Sequence, residues 1–508
     1  MPAQYVTLAR DTNQALGIGQ YAIDFMSRKL GEPDERVFQM VEQFHLDSVA
    51  CGVSALACGT NAPNVLRREA LEYAVRDGRS GVPCFGSTVR VPPEKAVVAN
   101  CSAVREWDAN GTNFGFNAAR GYTRGEFGHN DFYPVAVAAA QLQGLGGRDT
   151  LRAMILLDEI RGRLAEVFAL KDHKIDHVVH GAIASAATYG AVLGAMAEQI
   201  ESAIGLVVAH YIPFRAIRAG KQLSDSKGAS AALSAEMAVV SMRRAMAGFV
   251  GPADIFRNPQ AIFCLFEPTA STGASPFDLV LGAAGDDFAV MGMHFKLGLY
   301  EHQSAGAIGG LMDLLERHPE LLADQQKIRG ARITIYEPAF SIIGDPAKRD
   351  PRTRQSADHS MVYIIATLLR KAFELRHAGW RELMLVPDDY GPEALVHPLT
   401  RDLIRRIEFR HGGREYDEKY PDGIPTTLEI DHAELGNLTS GLVMYPVGHA
   451  RNTSGQLDAL LEHKFRLLAS LGVDDVDGLY RRFAHMAAKS PLDIAELYNF
   501  EIRNVSRI

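Results

Sequence analysis

A chain of 508 residues is too long for one typical core, so two domains are expected. Hydrophobic residues make up 47% and charged residues 22%, the balance of an ordinary soluble globular protein. The net charge of −8, with no basic amphipathic stretch and no long like-charge block, excludes the basic field of a dedicated nucleic-acid binder.

The first segment, "MPAQYVTLARDTNQALGIGQ", lacks the charged-then-apolar pattern of a signal peptide and carries an acid, unlike a transit peptide. The cysteines, Cys51, Cys58, Cys84, Cys101 and Cys264, are odd in number and form no C-x-x-C, which reads as reduced core thiols in a cytoplasmic protein.

From residue 12 to about 265 the periodicity is helical. "ERVFQMVEQFHLDSVACGVSALACG" spaces Val37, Met40, Val41, Phe44, Val49 and Val53 near three and four. "VPCFGSTVRVPP" is an extended interruption closed by its proline pair. In "GEFGHNDFYPVAVAAAQLQ" (125–143), residues 134–143 predict a buried helix, with Glu126, His129 and Asp131 at or just before its start. "GLGGRD" at 144–149 reads as a helix-to-helix turn, and Asp149 and Thr150 as the cap of "DTLRAMILLDEIRGRLAEVFAL".

"HGAIASAATYGAVLGAMA" (180–197) is rich in Ala and Gly and is followed by Glu198 and Glu201. A membrane span needs about 20 strongly apolar residues, so this predicts a closely packed core helix. "SAALSAEMAVVSMRRAMAGFVGP" stops at Gly251–Pro252.

After about 266 the texture changes. "ARITIYEPAF", "IRRIEFRHGG" and "TTLEIDH" alternate like strands, interleaved with helices such as "SADHSMVYIIATLLRKAFELR". From "GHARNTSGQLDALLEHKFRLLASLG" onward the chain is helical again. The fold class is therefore mainly α with an inserted α+β domain: a large helical domain from both chain ends (1–266 and 447–508) and a smaller α+β lid (267–446).

No phosphate loop, H-E-x-x-H, G-x-S-x-G elbow or Rossmann fingerprint occurs, so any chemistry runs on side chains. Four polar clusters stand out. The first is "REWDANGTN", with Arg105, Asp108 and Thr112, continued by the 125–143 stretch. The second is "KDHKIDHVVHGA", whose His173, His177 and His180 would share a face on one helix. In the third, "LSDSKGASAALSAE", Ser224, Asp225 and Ser226 are cap residues, and Lys227 beside free N–H groups suits a carboxylate. The fourth, "HFKLGLYEHQSAGAIGG", holds Lys296 and His302. Each also has a structural reading: Asp108 and Thr112 as a capping pair, His177 as a core histidine, Lys227 as a first-turn surface lysine. The recurring pattern is His or Lys at the entrance of a small-residue helix.

"REWD", Thr112, "EFGH", "DH" at 176–177, "SK" at 226–227, "FK" at 295–296 and "YPVGHARN…LLEHKF" resemble, in order, the MmgE/PrpD family. Its members include 2-methylcitrate dehydratase, cis-aconitate decarboxylase and iminodisuccinate epimerase. The resemblance implies a homodimer whose large helical domain is formed by both chain ends, a smaller lid, and an active site between them that uses neither metal nor cofactor. It implies catalytic roles for Asp108, Thr112, His129, His177 and Lys227, with Lys296, His302 and Tyr336 in the same pocket. Glu126 and Asp131 become candidate orienters of His129.

Two departures matter. Asn130 stands where the family has proline, and the spacer from Asp108 to His129 is longer, adding Phe114, Phe116, Arg120 and Arg124. Arg120 is accordingly a candidate substrate-binding residue.

The expected activity is a hydro-lyase of the 2-methylcitrate dehydratase type on a small di- or tricarboxylate. Lysines would stabilise developing negative charge and His129 would transfer a proton. Decarboxylation or epimerisation on the same scaffold is the alternative. More remote are a zinc hydrolase built on His173, His177 and His180 and a silent polycarboxylate-binding protein. On this reading Lys227→Met leaves the fold intact.

Overall fold

The computed structural model describes residues 3–75, 80–218, 223–270 and 273–505. Its first half is helical. The helices Gln14–Met26, Glu35–Ala57, Pro93–Arg105, Tyr133–Gln143, Gly147–Val167, Val178–Val192, Ala197–His210 and Ser226–Met246 share one apolar core. Small residues allow the close approach. A Cβ on Gly181 would lie 2.2 Å from the Phe132 ring, so the Val178–Val192 helix seats directly on the segment joining His129 to Tyr133.

The 125–143 stretch folds as its pattern suggests, into a buried helix Tyr133–Gln143 ended by Gly144 in the left-handed region (φ 67°). The next helix starts earlier than its cap signal. Its cap is Gly146, and Thr150 instead donates its hydroxyl to the Gly146 carbonyl at 2.9 Å.

The later part carries a four-stranded sheet. Its order is Ile407–His411, Ile328–Ile335, Thr426–His432, Gly436–Val443, the first pair parallel and the others antiparallel. Ala331, Ile333 and Ile335 alternate toward the core beside Leu428 and Ile430, and Ile328 is buried with them beyond the register shift at Asp431/His432. The Ala305–Arg317 helix packs on this sheet.

The chain ends meet the helical layer. The Leu457–Ala469 helix lies along Glu35–Ala57. Its buried Lys464 donates to the carbonyls of Ala109 (2.6 Å) and Lys296 (2.8 Å) and pairs with Asp47 (2.6 Å). One C-terminal ammonium thus ties together the segments that bear Asp108 and Lys296.

The segment just after residue 266 stays in contact with the helical layer. Leu279–Ala284 pairs antiparallel with Gln4–Leu8 and packs on Gly147–Val167. Buried Glu159 holds it there, accepting the N–H of Gly282 at 2.5 Å and of Ala289 at 2.6 Å. This strand therefore packs with the helical layer and takes no part in the four-stranded sheet. No helix among the described residues is long and apolar enough to cross a membrane.

Candidate active site

The Gly128–His129 strand pairs with Thr112–Asn113, setting His129 opposite Thr112. Thr112 Oγ1 donates to the Gly128 carbonyl at 2.9 Å, and the Thr112 and His294 backbones exchange bonds at 2.7 and 3.0 Å. A short ladder therefore fixes His129, Thr112 and His294 together. His177, the cap of the Val178–Val192 helix, brings its ring to 5.0 Å from that of His129. Arg218 donates to His177 Nε2 at 3.2 Å, leaving the ring proton on Nδ1. His129 Nδ1 is buried and has no hydrogen-bond partner among the described residues.

Burial pushes both histidines well below their ordinary value. The charges of Arg105 and Lys296 add to this at His129, whereas at His177 the carboxylate of Asp176 opposes it. Both rings are neutral near pH 7, and His129, whose Nδ1 is unpartnered among the described residues, is able to accept a proton.

Asp108 is ringed by three cations and the His359 imidazole, which burial pushes down to about 4. Arg105 Nη1 lies 3.4 Å from it, Lys227 Nζ 3.4 Å and His359 Nε2 3.1 Å, and Lys296 Nζ hydrogen-bonds its Oδ1. Burial alone would raise this carboxyl, but Arg105, Lys296, Lys227 and His359 hold it well below the usual range. Lys227 also donates to Asp358 at 3.0 Å, and Arg354 pairs with Glu106.

Asp108, Thr112, His129, His177, Lys227 and His302 line one cavity, with Arg105, Arg215, Arg218, Glu301, Lys348 and His359. Phe114 and Phe127 supply an apolar wall. His302 is 2% exposed, and neither ring nitrogen has a partner among the described residues. A larger cleft along Met312, Trp380 and Leu460 carries only exposed charges, Glu316, Arg376, His377, Arg381 and Glu382, and lacks this convergence of buried titratable groups.

Three expected pocket residues lie elsewhere. Lys296 is fully buried behind the cavity, committed to Asp108. Tyr336 stacks on Tyr420 at 4.6 Å, one ring back from Phe114. Arg120 is outside the site: it donates to the Val280 carbonyl at 3.2 Å, pairs with Asp287 at 3.3 Å and covers the Tyr5 ring at 4.6 Å. Its long loop turns toward the N-terminal strand, so the charge serves packing.

The proposed orienters also have other work. Asp131, pushed up to about 6 by burial, faces Arg105 at 3.4 Å. Glu126, raised by burial to about 7, accepts the N–H groups of Phe127 and Lys171, both at 2.8 Å, and so pins the loop.

The histidine triad does not assemble. Lys174 (φ 61°) breaks the helix before His177. His173 stacks on Phe266 at 4.9 Å, and His180 Nε2 bonds the Phe168 carbonyl at 2.9 Å. Among the described residues one group offers close ligand atoms, Asp108, Asp358 and His359, within 4.8 Å. Lys227, Lys296, Arg105 and Arg354 surround those oxygens and would repel a divalent ion.

Sequence reasoning passed over Arg215, Arg218, Glu301, Lys348 and His359. "DHSMVYIIATLL" puts His359 at the entrance of an apolar helix, the signal that marked the other clusters. In "YIPFRAIRAG" no such helix follows the arginines, and nothing local marks them.

A helical scaffold that walls in cations and neutral imidazoles can bind an anion and move a proton within it. The chain belongs to the MmgE/PrpD family: residues 22–272 match the MmgE/PrpD N-terminal domain and residues 300–479 the C-terminal domain. It is 22% identical over 446 residues, 83% of this chain and 84% of the relative, to 2-methylcitrate dehydratase of Escherichia coli (strain K12).

Proposed function

We propose that the protein is a lyase acting on a small di- or tricarboxylate, a hydro-lyase of the 2-methylcitrate dehydratase type that works through its own side chains without a metal. The observation that carries the reading is the neutral pair His129 and His177, 5.0 Å apart in a cavity rimmed by Arg105, Arg215, Arg218 and Lys227. The family membership and the dehydratase relative support it.

In this mechanism His129 takes the proton from a carbon next to a carboxylate. The cations stabilise the charge that develops there, the contribution usually worth most. His177, with its ring proton on Nδ1, can hold the leaving hydroxyl by a hydrogen bond, and the proton taken up by His129 passes to that hydroxyl, which leaves as water. Asp108 is the positioning residue: it holds Lys227, Lys296 and Arg105 at one point.

The test is a panel of polycarboxylates, 2-methylcitrate first, followed by mass spectrometry. Loss of water supports the proposal. Loss of carbon dioxide would make the protein a decarboxylase, and deuterium uptake from solvent at unchanged composition an epimerase. Binding without turnover would make it a binding protein. Activity is expected to survive a chelator, and abolition by chelator with rescue by zinc would overturn the metal-free reading. The homodimer belongs to the same proposal and is checked by light scattering after gel filtration.

A further inference from the structure

The cations lining the cavity fall into two kinds. Arg105 faces Asp108 and Asp131, Arg218 holds Asp176, and Lys227 holds Asp358. Arg215 and Lys348 have no such carboxylate among the described residues, and Nη1 of Arg215 is buried without any hydrogen-bond partner. Their backbones are nonetheless firmly held. The Arg215 N–H donates to the Lys174 carbonyl at 2.8 Å, while the Lys348 carbonyl accepts the Ser360 hydroxyl at 2.7 Å.

Arg215 follows the Ala197–His210 helix and Lys348 belongs to the later half of the chain, so the two reach one cavity from separate segments. Burial lowers both. Lys348 is lowered further by Lys227 and Arg215, against the opposing charges of Glu301 and Asp345. Asp176 and Glu126 lie toward Arg215 without forming an ion pair with it among the described residues. The like charges of Arg215, Arg218, Lys227 and Lys348 in a partly desolvated place cost energy that a bound anion offsets. Glu301, on the same wall, is pushed by burial up to about 7 and can stand protonated beside a bound carboxylate.

We infer that Arg215 and Lys348 form a carboxylate subsite that selects a polycarboxylate over a monocarboxylate. The inference rests on the polycarboxylate reading of the cavity and adds the residues that decide it. The subsite holds a carboxylate that stays unchanged through the reaction, leaving His129 and His302 free for the reacting carbon.

The experiment is calorimetric titration of propane-1,2,3-tricarboxylate and of butyrate into wild type, Arg215→Gln, Lys348→Met and Lys348→Arg. Each neutral variant should weaken tricarboxylate binding by about 10- to 100-fold, the loss of one charged hydrogen bond. Butyrate binding should stay unchanged, and Lys348→Arg should recover most of the affinity. Melting curves supply a second readout: without ligand, Lys348→Met should melt no lower than wild type, because a half-buried cation without an ion-pair partner among the described residues is gone. Wild-type tricarboxylate affinity in both neutral variants, or a lowered melting point with proportional loss of both ligands, would overturn the subsite. A wild type that binds through both residues but turns over no polycarboxylate would keep the subsite and sink the lyase reading.

Discussion

The cage around Asp108 and the wall across the cavity bury similar groups and treat them in opposite ways. In the cage the carboxylates are paired, Asp108 by Arg105, Lys227, Lys296 and His359, and Asp358 by Lys227 and Arg354, although Nη1 of Arg105 reaches Asp108 as an ion pair without a hydrogen bond. On the wall, His129 Nδ1, both nitrogens of His302 and Nη1 of Arg215 meet no partner among the described residues. Burial penalises both sets. In the cage the protein offsets the penalty itself, so those residues hold geometry. On the wall the offset is left to a ligand, so those residues are available for binding and proton transfer.

The sharpest way to break this comparison is His129→Gln. It keeps a polar side chain and removes proton transfer at neutral pH. The single-turnover rate should fall about 10²- to 10⁴-fold with the melting temperature nearly unchanged. A less stable variant that turns over at the wild-type rate would place His129 among the structural residues.

Lys227→Met attacks the cage. The side-chain lengths suggest a harmless swap, but Lys227 is buried between Asp358 and Asp108. Removing it leaves carboxylates without their cation and should cost about 3–5 kcal/mol of stability, read from urea unfolding. An unchanged midpoint would mean the cage is dispensable.

His45 is a control buried away from the cavity. It is 1% exposed, both nitrogens lack partners among the described residues, and burial pushes it down to about 3. Its folded value lies below the unfolded one, so its contribution is intact above pH 6.5 and is lost as pH falls toward 3. Below pH 6.5, His45→Leu should gain on wild type by about 1.4 kcal/mol per pH unit. Parallel acid-unfolding curves for the two proteins would contradict this.

Arg120→Gln should do least. Its partner Asp287 is 36% exposed, so stability should fall by less than about 1 kcal/mol. Turnover should match wild type, and a large rise in KM would return Arg120 to the substrate.

Much of the site was legible because its residues sit where helices begin. His129 precedes Tyr133–Gln143, His177 caps Val178–Val192, Lys227 opens Ser226–Met246 and His302 leads into Ala305–Arg317. A titratable side chain before a small-residue run is visible in one dimension. Arg120 was picked instead from the length of its loop, which says nothing about the face on which a loop lands, and it lies against Val280 and Asp287. The His173–His177–His180 spacing misled because one left-handed residue, Lys174, undoes helical periodicity.

The sequence by itself determined the helical texture, the strand-like character of the stretches 331–340, 404–413 and 426–432, the order of the polar clusters and the family, since periodicity and motif order are local properties. Only the tertiary structure decided which charges meet. Lys296 and Asp108 are 188 residues apart and Lys227 and Asp358 are 131 apart. The pairing of Leu279–Ala284 with the N-terminal strand is likewise long-range. Coulomb energy depends on distance and burial in three dimensions, so a cation committed to a neighbouring carboxylate and one left free for a ligand read alike until the chain has folded.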